Sequence, residues 1–229
     1  MKNIVIKITL IFATFFNIGC SIDDKPKSDG LPYYQFTQDE RNQLISNSNV
    51  GDEIIYKNQD NNLIKFKTYN SKTGKTTFAT GNFSSSYATQ HFHYDRQEIA
   101  MWYSEGLSAS ICEINILKYP VGSNYQTQYP VIGTPKFYGY FEFPLWNGYD
   151  GTDIYENTIS INFDLSTRTM TFNGKTYSKV RVFESNRTVV LEPNNTLPLY
   201  PKNVNKIYYD DNYGIIGFDD LNGKLWRLQ

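Results

Sequence analysis

Apolar residues in this chain recur at every second position, in short runs closed by turn residues, and that pattern admits little besides an antiparallel sheet. Ile159, Ile161, Phe163 and Leu165 alternate with Ser160, Asn162 and Asp164. On an extended backbone this puts one row on a buried face and the other in water. Met170 and Phe172 are flanked by Thr169 and Thr171, and Val180 and Val182 are interleaved with Lys179 and Arg181. Phe137, Phe141 and Phe143 share a face on which Gly139 leaves a gap, opposite Tyr138, Tyr140 and Glu142. Turn residues separate the runs at Ser71-Lys72-Thr73-Gly74, Asn173-Gly174 and Asn222-Gly223. The Asn-Gly pairs are the sharpest of these signals, because a two-residue type I′ hairpin needs positive φ at both central positions. Residues 119–157 carry Pro120, Pro130, Pro135 and Pro144 among many glycines and read as the longest loops. The expected fold is all-β: a single antiparallel β-sandwich or barrel-like domain, with the choice between them open.

One short N-terminal helix precedes the strands. Thr37-Gln38-Asp39-Glu40 is a capping box, in which the Thr37 hydroxyl accepts from the Glu40 amide while Glu40 reaches back. Arg41 stands where a hydrophobic staple would be completed, so that support is missing. Leu44 and Ile45 offer a small apolar face before the polar run at 46–49 ends the turn.

The first nineteen residues are of another kind. Lys2 and Lys7 flank a basic start, an apolar run covers 8–18, and Gly19 precedes Cys20. That is the layout of a cleaved export leader, and the run is about half the roughly 20 residues that span a bilayer. We expect a lipoprotein signal peptide over 1–19, a lipidated Cys20 heading a flexible tether over 20–32, and a globular domain over 33–229. Residues 21–30 of the tether hold Asp23, Asp24, Lys25, Pro26, Lys27, Asp29 and Gly30 around a single apolar residue, Ile22, too little apolar surface to fold. Gly19-Cys20 resembles a lipobox. Cys20-Ser21-Ile22-Asp23-Asp24 resembles the acidic export signal of Bacteroidota-type surface lipoproteins, and the final run from Ile207 to Leu228 resembles the endings of many uncharacterised Bacteroidota lipoproteins. The resemblance implies a cell-envelope protein, lipid-anchored in the outer membrane and facing outward. It carries no functional residues to transfer.

Charge and chemistry narrow the function by exclusion. The formal charge is −1, and loss of the leader, whose only charges are Lys2 and Lys7, makes it more acidic. Nucleic acid, which needs clustered Lys and Arg, is therefore not an expected partner. With Cys20 consumed by lipid, Cys112 has no partner in the chain; it shares strand parity with Ile114 and Ile116 and reads as a small buried hydrophobe beside Glu113. His91 and His93 project from one strand face but fall short of the three or four ligands a zinc site needs, and read as a solvent-facing pair. Asp-Asn clusters at 210–212, at 219–222 and around Asp150 fit turn chemistry better than the six to eight oxygens calcium takes. No cofactor, metal or catalytic constellation is expected. Carboxylates such as Glu142, Glu156 and Asp164 could pair across a cleft as in a glycosidase, a separation that the sequence does not show.

Aromatics are the one excess, at 16% of residues with 19 Tyr. Cross-strand pairing accounts for most. Trp146 and Tyr149 lie instead in a Pro/Gly/Asp segment without alternation, close to Asp150 and Asp153. An exposed ring beside polar side chains suits a sugar face. Trp146, Tyr149, Asp150 and Asp153 are thus the expected ligand-binding residues of a module for extracellular glycan or envelope protein. A structural or assembly factor of the envelope is the alternative, and a hydrolase the third.

Overall fold

The computed structural model describes residues 30–79, 91–103, 111–120, 135–148, 158–191 and 202–229. Met1–Leu31 and Pro32–Gln229 are separate compact units, and every described strand and helix belongs to the second. Cys20 and its tether lie outside the described residues.

Two meanders make the sheet. The first runs through β2 (Glu53–Lys57), β3 (Leu63–Ala79), β4 (His91–Tyr103), β5 (Ile111–Pro120), β6 (Pro135–Glu142) and β7 (Thr158–Ile161). The second comprises β8 (Arg168–Phe172), β9 (Lys175–Glu184), β10 (Val204–Asp210), β11 (Gly214–Asp220) and β12 (Leu225–Leu228). They join where β12 pairs β2, with Leu228 opposite Tyr56 and the Gln229 amide donating to Ile55 O at 3.0 Å. The spatial order is β7-β6-β5-β4-β3-β2-β12-β11-β10-β9-β8, so β7 and β8 are the two outer strands. Yet only residues 162–167 connect them. That link reaches roughly 24 Å at full extension, whereas eleven flat strands would spread roughly 48 Å. The sheet must curl, and it does: the domain is a half-barrel rather than a two-sheet sandwich.

The concave side holds the main core. Phe66, Ile99, Met101, Cys112, Ile114, Phe141, Ile161, Ile207, Tyr209, Phe218 and Trp226 all point inward. The Gly139 gap is filled: a Cβ there would lie 3.1 Å from Asn115 O and from the Ile161 side chain, and 3.2 Å from the Phe163 ring. Cys112 is buried as expected, and burial pushes its thiol far up. It should resist a thiol reagent in the native protein and react fully only in denaturant, because the thiolate is the nucleophile; rapid native labelling would contradict its placement.

Inward positions on β4 are polar at one end, where Asp95 and Gln97 stand. The N-terminal segment answers them. β1 (Tyr33–Tyr34) pairs parallel with β4 beside the stretch that β5 does not cover. Asp95 then accepts from Tyr33 Oη at 2.6 Å, the Phe36 amide at 2.9 Å and Arg41 at 2.8 Å. Gln97 exchanges two bonds of 2.9 Å with the backbone of Ile45. Between these contacts lies α1 (Gln38–Arg41), with both halves of the capping box formed. The residue that denies it a staple, Arg41, is the one that anchors it to the sheet.

The β8–β9 hairpin turns at Asn173 (φ 51°) and Gly174 (φ 78°), as the Asn-Gly signal requires. It folds over the outer face of the second meander, where Tyr177, Val180, Tyr208 and Ile216 form a smaller core. Asn173 Nδ2 reaches Leu228 O at 3.0 Å, and the Arg227 guanidinium lies 4.5 Å from the Phe172 ring centre. This second layer explains why Val180 and Arg181, adjacent on β9, are both buried. The expectation of one wet face fails there because the strand is covered on both sides.

Three other expectations need correction. Ser71-Lys72-Thr73-Gly74 is no turn: β3 runs straight through it, with Ser71 opposite Ile99 and Gly74 opposite Arg96. The thirteen-residue β4 supplies a ladder partner for every position, and Gly74 is not in the left-handed region. The alternation from Ile159 stops at Ile161, since Asn162 Oδ1 caps the Asp164 amide at 3.0 Å and turns the chain; Leu165 is exposed. Within 119–157, residues 135–142 are the ladder strand β6 and not a loop.

Candidate functional site

Trp146 is not an exposed platform. Its relative exposure is 6%, and it packs in the main core. The chain leaving β6 crosses to β10: the Trp146 amide donates to Phe143 O at 3.0 Å, Asn147 N to Val204 O at 2.6 Å, and Val204 N to Leu145 O at 3.0 Å. Trp146 forms a parallel bridge with Val204. The segment lacks alternation because it leaves the β6 ladder to bridge β10, and its large side chains are buried there as on a strand. Tyr149, Asp150 and Asp153 lie outside the described residues. One edge of Trp146 lines a cleft of about 330 Å³ with Gly148, Thr158, Ile159 and residues 184–187. Beside it, Asn147 donates to Val189 O at 3.0 Å, while its buried Oδ1 has no hydrogen-bond partner.

His93 is buried and not solvent-facing: Nδ1 lies 2.9 Å from Thr77 Oγ1, and Tyr33 meets the ring edge-on. The N-terminal segment covers it, a long-range event invisible in the local pattern. The His91 side chain lies outside the described residues. Among the described residues no three His, Cys, Asp or Glu side chains are gathered to hold a metal. The 210–212 and 219–222 clusters serve turns: Asp210 Oδ1 caps the Asn212 amide at 3.0 Å, and Asp220 Oδ1 those of Asn222 and Lys224 at 2.9 and 3.0 Å. Asp164 sits after β7 near Arg181, Glu142 faces outward from β6, and Glu156 lies outside the described residues.

The exposed aromatic surface is elsewhere, on the outer face of the first meander. A bulge between Thr68 and Asn70 leaves Tyr69 as the extra residue of β3. Such a residue re-aims its side chain, and here Tyr69 meets Trp102, ring centres 5.0 Å apart at 43°. Trp102 is 56% exposed and Tyr69 38%. A polar band continues from them across β4, β5 and β6. Arg96 pairs with Glu98 at 2.8 Å and donates from Nε to Asn115 Oδ1 at 3.0 Å; Asn70 donates to Glu98. Glu113 and Glu142 are direct partners between β5 and β6, and Tyr140 is the partner of Asn115. The phenol of Tyr69 is raised, by desolvation first and then by Glu113, with Glu98 adding to it against a hydrogen bond from Trp102. Tyr140 is raised by burial first, with Arg96 opposing and Glu113 and Glu142 adding. Glu113 thus acts on both phenols. Beyond them, Phe92, Tyr94 and Leu117 form a third cluster, with Tyr119 and Tyr138 packed on it.

No protein-family model matches the chain, and comparison with curated proteins and with solved structures also returns no match.

Sequence reasoning passed over Trp102 because β4 is polar on both parities: His93, Asp95 and Gln97 point in, Arg96 and Glu98 point out. The one local hint was that Trp102 shares its parity with Arg96 and Glu98.

Proposed function

We propose that this chain is a lipid-anchored protein of the outer membrane, displayed on the extracellular face, whose β domain binds an extracellular polysaccharide across the outer sheet face at Trp102 and Tyr69. One observation carries the binding half: an exposed Trp–Tyr pair continuous with carboxylates and amides. A ring covers the apolar face of a pyranose, and acceptors at its margin take the hydroxyls. A convex sheet face also lets a polymer chain pass without threading.

The anchoring half rests on the leader ending at Gly19-Cys20 and on Asp23 and Asp24 after it. One acyl chain binds reversibly and two or more hold stably. Cys20→Ala should abolish palmitate incorporation and release the protein from membranes, whereas wild-type labelling of that variant would remove the anchor.

The binding half is tested by retention of the full chain on immobilised polysaccharides. Combined Trp102→Ala and Tyr69→Ala should weaken retention by about 30-fold, the equivalent of about 2 kcal/mol for a hot-spot aromatic. The melting temperature should hardly change, since both rings are exposed. Unaltered retention would refute the assignment of this face.

A further inference from the structure

The chain joins the sheet at one end, and that end differs in kind from the other. β1 enters beside the start of β4, where Tyr33 stands opposite His93 and the His93 amide donates to Pro32 O at 2.8 Å. Whatever holds residue 20 therefore holds this end, through a flexible tether whose r.m.s. span is roughly 20 Å. The outer face here is aromatic. Phe92 and Tyr94 are buried at its centre, and the partly buried rings of Tyr34, Phe78, Tyr119 and Tyr138 surround them. Tyr34 meets Phe92 edge-on at 5.6 Å between ring centres, and Phe78 stacks on it at 4.9 Å. Charge is graded in the same direction. This half of β3–β6 sets Lys72, Lys75, Arg96, Lys118 and Lys136 against Asp95, and α1 adds Asp39, Glu40 and Arg41, so six bases face three acids. The far ends of β4, β5 and β6 carry Glu98, Glu113 and Glu142 and no base. Lys72, Lys75 and Lys136 are exposed. The connections over 80–90 and 121–134 leave from this same end, and their sequences hold no Asp, Glu, Lys or Arg.

We propose that this end of the sheet docks onto the lipid surface beside the anchor, with Tyr34, Phe78, Tyr119 and Tyr138 at headgroup level and Lys72, Lys75 and Lys136 toward anionic headgroups. This rests on reading Cys20 as lipidated. A tyrosine ring with an apolar body and a polar tip suits that boundary, and exposed lysines are attracted to an anionic surface within a Debye length of it. The tether keeps the patch close to the bilayer, so a contact too weak to recruit a free protein suffices to orient an anchored one. The contact is made by the described rings and lysines alone. Its consequence for the binding face is geometric: Trp102 stands roughly 33 Å along β4 from Phe92, and docking at Phe92 turns it away from the membrane.

The test places the lipidated protein in phosphatidylcholine–phosphatidylglycerol vesicles that carry a headgroup nitroxide, a quencher of nearby indoles only. The wild type, whose exposed indole is Trp102, should keep its emission. The variant W102F/Y138W should lose most of the emission of its new indole, and W102F/Y119W should do the same if Tyr138→Trp disturbs folding. Adding K72Q, K75Q and K136Q, or raising the salt, should restore that emission. Protein that floats with the vesicles while neither new indole is quenched would overturn docking and leave the anchor standing. Trp102 quenched as strongly as the new indoles would overturn it too, since the domain would then have no preferred end. Quenching that survives both the lysine changes and high salt would refute the anionic headgroup as the partner. Protein that does not float with the vesicles would remove the anchor, and docking with it.

Discussion

Replacing Trp146 with alanine lowers the stability of the domain by about 3–5 kcal/mol, the range for truncating a large buried aromatic. The ring is part of the main core, and the backbone on either side of it is bonded to Phe143 and Val204. Neighbours fixed by those bonds cannot close the space left behind, so a cavity cost adds to the lost burial. At about 2–4 °C per kcal/mol for a domain of this size, the melting temperature should fall by on the order of 10 °C. Chemical denaturation measures it directly. A loss under about 1 kcal/mol would mean that Trp146 is a surface ring after all, which would restore the Pro/Gly segment as a binding platform.

A loss of similar size is expected from Asp211→Ala. Asp211 and Arg181 form an ion pair with both side chains almost completely buried. The guanidinium also donates to Phe163 O at 2.9 Å and lies 5.2 Å from the Phe163 ring centre, tying β9 to the turn after β7. Burial pulls the Arg181 pKa down, against the nearby Tyr209, Asp164 and Asp210, which raise it. Removing one member of such a pair strands the other and costs about 3–5 kcal/mol. Replacing both with apolar residues of similar volume should recover most of the loss, because the desolvation penalty disappears with the charges. Equilibrium unfolding of Asp211→Ala and of an Arg181→Met/Asp211→Leu double variant separates these effects. A double variant no more stable than the single one would show that the pair is needed for packing rather than for charge compensation.

What the sequence made legible was local. The Thr37–Glu40 capping box, the Asn173-Gly174 turn, the inward row of Ile159 and Ile161 and the burial of Cys112 each depend on residues a few positions apart, and each is present. What it concealed came from distant segments. Whether Ser71–Gly74 turns or extends is decided by β4, some twenty-five residues on. Asp95 looks like a surface residue until Tyr33, Phe36 and Arg41 arrive from the N-terminus. The choice between sandwich and barrel hung on β12 pairing with β2, which brings the two ends of the domain together. The candidate face was hidden for the same reason. Nothing near Tyr69 announces a bulge, and Trp102 lies in Ala100-Met101-Trp102-Tyr103, where the other three residues are buried. Trp146 misled in the opposite direction, because irregular composition suggested a surface loop where the chain in fact bridges β10 with its ring in the core.

The three tryptophans give the most direct test of the central claim, that the outer sheet face is the binding surface. Trp146 and Trp226 are buried at 6% and 2% exposure, while Trp102 is 56% exposed. Iodide, which cannot enter a packed core, should therefore quench one of the three, and Trp102→Phe should abolish that accessible component. With saturating polysaccharide the accessible component should be shielded, because the ligand stacks on the indole that iodide reaches. Full occupancy with Trp102 still quenched as in the free protein would contradict the account, since the ligand would then be bound somewhere other than this face.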